Sequence, residues 1–183
     1  MSSPKNKHLN ALVVGATGLI GRHCVSFCLD SDRYETVTVF VRRSLGLSHP
    51  KLREIIINFD DLAVHITAIA VDDIFCCLGT TIRTAGSKEA FRKVDFEYVL
   101  TTATLGKERG ASQFLLVSSI GADASSSMFY TRVKGDIESA LSDLNYPCLH
   151  ILRPSMLLGK RDEFRLGELI GKFFFRVFSV FFI

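Results

Sequence analysis

Residues 13–21, VVGATGLIG, place glycines at 15, 18 and 21 directly after an apolar run and directly before a segment with helical spacing. In a dinucleotide-binding turn the first glycine permits a tight reversal, the second lets backbone approach a pyrophosphate, and the third allows a helix to pack close to a strand. A helix that starts there offers unpaired N–H groups and the positive end of its dipole to phosphate. The spacing GxxGxxG is a variant of that pattern, and its rival reading is a purely structural turn. Context decides between them. Residues 9–14, LNALVV, read as a strand, and residues 19–30, LIGRHCVSFCLD, carry Leu19, Ile20, His23, Cys24, Phe27 and Cys28 at helical spacing. Strand, glycine turn and helix in this order predict a cofactor-binding turn.

The rest of the chain repeats the alternation. Residues 36–41, TVTVFV, and 54–57, EIII, read as the second and third strands. The link between them, RRSLGLSHPKLR, contains Gly46 and Pro50 and is too short and broken for a full crossover helix. Residues 72–78, DDIFCCL, suit a strand buried on both faces. Helical periodicity then runs over 87–109 through Phe91, Val94, Asp95, Tyr98, Val99, Thr102 and Leu105. Strand 113–119, helix 127–144 and strand 148–154 follow, the last stopped by Pro154. Parallel neighbours need crossover connections, so the pattern predicts an α/β fold: a doubly wound parallel sheet, Rossmann-like, in one domain over 9–172 after a polar segment 1–8.

The end of the second strand bears on the cofactor. An NAD site usually carries an acid there for the ribose 2′-hydroxyl. Here it is FVRRS, residues 40–44, with no acid and with Arg42 and Arg43. A guanidinium is a forked, permanent cation suited to phosphate, which favours NADP(H) over NAD(H); a pair of solvated surface arginines is the alternative. The formal net charge of +3 is too balanced for a nucleic-acid binder. Cysteines 24, 28, 76, 77 and 148 lie in apolar segments without CxxC spacing. Cys24 and Cys28 beside His23 therefore read as small core side chains in preference to metal ligands, no metal is expected, and reduced thiols suggest a cytoplasmic setting.

Taken together, VVGATGLIG, VRRS, FCCLGTT (75–81), LLVSSIGAD (115–123), YTRVKGDIE (130–138) and LRPSMLLG (152–159) resemble the atypical short-chain dehydrogenase/reductase superfamily. Within it the likeness is to the Tat-interacting oxidoreductase group and its bacterial NAD(P)H-binding relatives, over residues 9–172. The resemblance implies that Gly15, Thr17, Gly18, Leu19, Ile20 and Gly21 wrap the pyrophosphate and that Arg42 and Arg43 meet the adenosine phosphate. Asn58 and Phe59 stand where relatives often show Asp-Phe near the adenine. Leu78, Gly79 and Thr80 would line the cofactor, and Arg153, Pro154 and Ser155 would pass the nicotinamide end.

Tyr130 and Lys134 form YxxxK, which puts both on one face of a helix. An ordinary tyrosine titrates near about 10 and is a poor acid or base at neutral pH without a neighbouring cation; Lys134 is placed to be that cation. In the short-chain dehydrogenases this lysine also holds the nicotinamide ribose, and a serine at the end of the fifth strand binds the substrate carbonyl. Ser118 and Ser119 both stand there. Adjacent strand residues point to opposite faces, so one of them reaches the site, and the resemblance favours Ser119. The implied activity is hydride transfer between NADP(H) and a small carbonyl or alcohol substrate, with Tyr130 moving the proton. The alternative is a non-catalytic, NADP(H)-responsive regulatory or protein-interaction module. Nine of the eleven residues of the tail 173–183, FFFRVFSVFFI, are apolar. As a helix it would reach about 16 Å, too short to cross a bilayer. It reads as a packed terminal helix, a peripheral membrane contact or, preferred here, the stump of a chain whose relatives continue over the substrate side.

Overall fold

The glycine turn follows a strand that is buried on both sides. In the computed structural model, which describes residues 8–155, β1 (Leu9–Val14) has its last four residues buried. Leu12 and Val14 point into one hydrophobic core and Ala11 and Val13 into another on the opposite face. This is why LNALVV is a continuous apolar run, where a strand with one wet face would alternate. Helix α1 (Leu19–Asp30) covers the second core through Val25, Cys28 and Leu29. β2 (Tyr34–Val41) splits the same way, with Phe40 facing the first core and Val37, Val39 and Val41 the second.

No helix forms between β2 and β3 (Leu52–Ile56), in keeping with the broken link read from the sequence, and β3 begins two residues earlier than its apolar run. A 3-10 turn (Phe59–Asp61) and α2 (Leu62–Thr67) then carry the chain to β4 (Asp73–Cys76). α2 has only six residues, two of them buried, too few for its period to stand out in the sequence. β4 is shorter than the expected 72–78 because the chain turns at Cys77 to pass over Gly15. α3 (Ile82–Ala85) and α4 (Lys88–Arg92) follow, both started by side-chain caps, Thr81 and Ser87.

The long helix expected over 87–109 is interrupted. A π-helical turn, Lys93–Glu97, separates α4 from α5 (Tyr98–Glu108) and turns Asp95 into the interior. β5 (Gln113–Val117), α6 (Phe129–Asp143) and β6 (Cys148–Leu152) complete the described fold. All pairs are parallel and the order is β3-β2-β1-β4-β5-β6. The strand order reverses between β1 and β4, and in such sheets ligands bind in the crevice beyond the strand ends at that switch point. The VVGATGLIG turn stands there. Among the described residues no helix is long and apolar enough to cross a membrane. The tail 173–183 and the part of the expected domain from 156 to 172 lie outside the described residues.

Candidate functional site

At Gly15 the backbone adopts φ +80°, and a Cβ there would stand 2.4 Å from the Cys77 carbonyl oxygen. A Cβ on Gly21 would stand 2.1 Å from the Gly15 carbonyl oxygen, so α1 is seated directly on the turn. Only glycine fits either position. Gly18 is the N-cap of α1 and brings no capping side chain, and no acid lies in the first helical turn. The first-turn N–H groups and the helix dipole therefore face the switch-point crevice without a competing side chain, an arrangement that suits a diphosphate. Thr17, Leu19 and Ile20 are half-buried around this turn, and the Thr17 carbonyl accepts a hydrogen bond from Arg22 Nε at 3.0 Å.

On one flank, Arg42 and Arg43 are exposed immediately beyond buried Val41, with no acid between Phe40 and Ser44. Asn58 is exposed, and its side chain caps the 3-10 turn by accepting from Asp60 N at 3.2 Å. Phe59 is buried against the Tyr98 ring, centroids 5.6 Å apart, so its ring belongs to the core.

On the other flank the loop after β4 lies over a buried ion pair. Lys134 Nζ is 2.8 Å from Asp95 Oδ1, with side-chain exposures of 5% and 0%. The second Asp95 oxygen accepts from Thr80 N at 2.9 Å. Gly79 rests above the pair: a Cβ there would be 3.6 Å from Asp95 Oδ1 and 3.9 Å from Lys134 Nζ. Leu78 is half-buried against the first core. Tyr130, one turn before Lys134, is half-buried with its ring 5.4 Å from that of Phe91. Tyr130 and Lys134 on α6 thus meet Phe91 and Asp95 on the facing helix, and both pairs are four residues apart. Asp95 was not singled out from the sequence as a site residue. The signal was its place in an otherwise apolar helical stripe.

The two serines behave differently. Ser118 is buried and its hydroxyl donates to the Glu138 carboxylate. The Ser119 hydroxyl oxygen is also buried, and it has no hydrogen-bond partner. Arg153, half-exposed, donates to Glu138 through Nε at 3.0 Å and through Nη2. The Pro154 carbonyl accepts from Ile120 N at 3.1 Å, and Ser155 is exposed. The end of β6 therefore runs alongside the serines, with the Arg153 guanidinium turned to Glu138. Cys28 is buried beside Val25 and Leu29, with Cys24 packed against that core, and all five cysteines are free thiols.

A six-stranded parallel sheet in this order, with a glycine turn and a helix N-terminus at its switch point, is the architecture of a Rossmann-like domain. The chain belongs to the NAD(P)H-binding family, whose pattern matches residues 15–161. It is 36% identical over 175 residues to Protein HTATIP2 of Rattus norvegicus, covering 93% of this chain and 72% of the relative. It is equally 36% identical over 159 residues to Protein FMP52, mitochondrial, of Eremothecium gossypii, covering 87% and 71%. Among solved structures, the Bordetella bronchiseptica enzyme WbmH in complex with NAD+ superimposes with a TM-score of 0.72 at 13% identity, a likeness of fold over 91% of this chain. The described protein spans 62% of that solved chain.

The comparison corrects one expectation. A cytoplasmic setting, suggested by the thiols, is overturned by relatives named as mitochondrial in several fungi. Free thiols report a reducing environment and do not distinguish one reducing compartment from another.

Proposed function

We propose that this protein is an oxidoreductase that prefers NADP(H) and exchanges hydride with a small carbonyl compound. What supports the reading is an unpartnered buried hydroxyl at Ser119, just after β5, together with a half-buried Tyr130 and a buried Lys134 one turn apart on α6, the latter beneath Gly79 of the loop after β4. NADP(H), when bound, supplies the hydride. The backbone from Gly15 to Gly21 would hold the diphosphate, Arg42 and Arg43 the 2′-phosphate, and Leu78, Gly79 and Thr80 the wall beside the nicotinamide ribose. Ser119 would orient the substrate oxygen. Tyr130 would give that oxygen its proton during reduction, and the Lys134 ammonium would stabilise the phenolate left behind. Pro154 and Ser155 would border the nicotinamide end, and Arg153 would act there through Glu138.

The test is NADPH oxidation against a panel of small carbonyl compounds. Tyr130→Phe is expected to lower kcat by at least about 100-fold; unchanged turnover would overturn the assignment. Arg42→Ala with Arg43→Ala is expected to weaken NADPH binding while leaving NADH binding unaltered. Equal loss for both cofactors would remove the preference.

A second reading, an NADP(H)-responsive interaction module without turnover, is favoured by the Asp95 carboxylate, which already occupies the Lys134 ammonium. It predicts NADPH binding by calorimetry with no oxidation of NADPH by any carbonyl. The mitochondrial relatives support a mitochondrial location for this chain as well.

A further inference from the structure

Glu138 is a buried carboxylate one helical turn beyond Lys134, so that Tyr130, Lys134 and Glu138 stand four residues apart along one face of α6. It accepts hydrogen bonds from the Ser118 hydroxyl and from two nitrogens of Arg153. Ser118 and Arg153 lie just past the ends of β5 and β6, at the same level. Two backbone hydrogen bonds fasten these ends on either side of Ser119: Ser118 N to the Leu152 carbonyl at 2.8 Å, and Ile120 N to the Pro154 carbonyl at 3.1 Å.

Resting on the reading proposed above, we infer that Glu138 is a positioning residue that determines which of the two adjacent serines is left to meet the substrate oxygen. Consecutive residues of extended chain project to opposite sides, so holding one hydroxyl settles the direction of the next. A buried carboxylate without donors is strongly unfavourable, and Glu138 therefore keeps Ser118 and Arg153 against itself. Ser118 is engaged as a donor and its neighbour is not. The Ser119 hydroxyl is buried and unpartnered as a result, the state required of a group that is to bind a ligand. Because Glu138 shares the helix face of Tyr130 and Lys134, the same grip sets α6 against the strand end that carries Ser119. Without it, the Ser118 hydroxyl and Arg153 lose their buried acceptor, and the 118–120 segment is held by the two backbone hydrogen bonds alone, a weaker restraint on which serine faces the site.

The full chain carrying Glu138→Ala, Glu138→Gln or Ser118→Ala tests this, with amide hydrogen exchange at residues 118 and 120, kcat, substrate KM and NADPH affinity as readouts. Glu138→Ala is expected to speed exchange at both amides at least about tenfold and to lower kcat at least about tenfold, while NADPH affinity stays within about twofold of the parent. Ser118→Ala, which leaves the Arg153 pair in place, is expected to lower kcat with little change in melting temperature. Glu138→Gln, which keeps an acceptor oxygen, is expected to recover part of the loss. Unchanged exchange at 118 and 120 in Glu138→Ala overturns the inference, and so does a Ser118→Ala variant with parental kcat, since Glu138 would then be only a brace. Should Glu138→Ala fail to fold, the other two variants decide. Should the parent turn over no carbonyl, the proposed reaction falls, and amide exchange alone still decides whether Glu138 holds the strand end.

Discussion

Lys134 is charged and buried, and Asp95 is what makes that tolerable. Removing one partner of a buried pair leaves the other without solvation, whereas replacing both with apolar groups of similar size is often neutral. Lys134→Met alone, or Asp95→Leu alone, is therefore expected to destabilise the fold by about 3–5 kcal/mol in urea titration, and the double variant by clearly less than the sum. A double variant as unstable as the sum would mean that the two side chains do not depend on one another. Asp95 also holds Thr80 N, so its loss is expected to loosen the loop after β4 as well. Cys76 gives a second prediction at this scale. Complete burial pushes its thiol up from 9.0 to about 12. Between those values the unfolded chain loses the proton and the folded chain keeps it, so this contribution is fully present below about pH 9 and declines as pH rises toward 12. Melting temperatures of Cys76→Ala and the parent should therefore converge over that range; a constant difference would contradict the assignment.

Helix α6 carries Tyr130, Lys134 and Glu138, and its seating depends on the residue between the last two that has no side chain. A Cβ on Gly135 would stand 2.0 Å from Ala124 N and 2.2 Å from the Asp123 carbonyl carbon, so the helix rests directly on the backbone of the loop after β5. That loop is tied back to α6 by Asp123 N donating to the Thr131 carbonyl at 3.1 Å. Gly135→Ala must push α6 away and is expected to cost about 1–3 kcal/mol of stability. It should also lower kcat with little effect on NADPH affinity, since the glycine turn lies at a different element; parental stability would show that the loop gives way freely. The facing helix reaches Lys134 only through its π-helical turn. Such turns are rare and concentrate at functional sites, and this one places a carboxylate where regular helical periodicity shows an apolar stripe.

For the molecule as a whole, the sheet puts Arg42 and Arg43, after β2, and Ser119, after β5, on opposite sides of the β1/β4 switch point. A cofactor that spans them stabilises the folded chain by linkage. At 100 times its dissociation constant NADPH should add about 2.7 kcal/mol, a rise in melting temperature of about 5–10 °C for a domain of this size. NADH at the same concentration should give a smaller rise, and an equal one would contradict the role of the two arginines. Much of this architecture was legible in the chain. LNALVV, the glycine spacing and the alternation of apolar runs reflect burial faces and backbone constraints that act within a few residues, so they leave local periodicities. YxxxK was legible for the same reason, since both residues lie on one helix. The short helix α2 and the π-helical turn left too little periodicity to be distinguished. Asp95, Glu138 and the difference between Ser118 and Ser119 were decided only by tertiary structure. Their partners lie 39, 20 and 15 residues away, as Lys134, Ser118 and Arg153 show, and which carboxylate meets which donor depends on how α6 crosses the π-helical turn and the ends of β5 and β6. That crossing is set by packing over the whole sheet, which no local pattern of residues records.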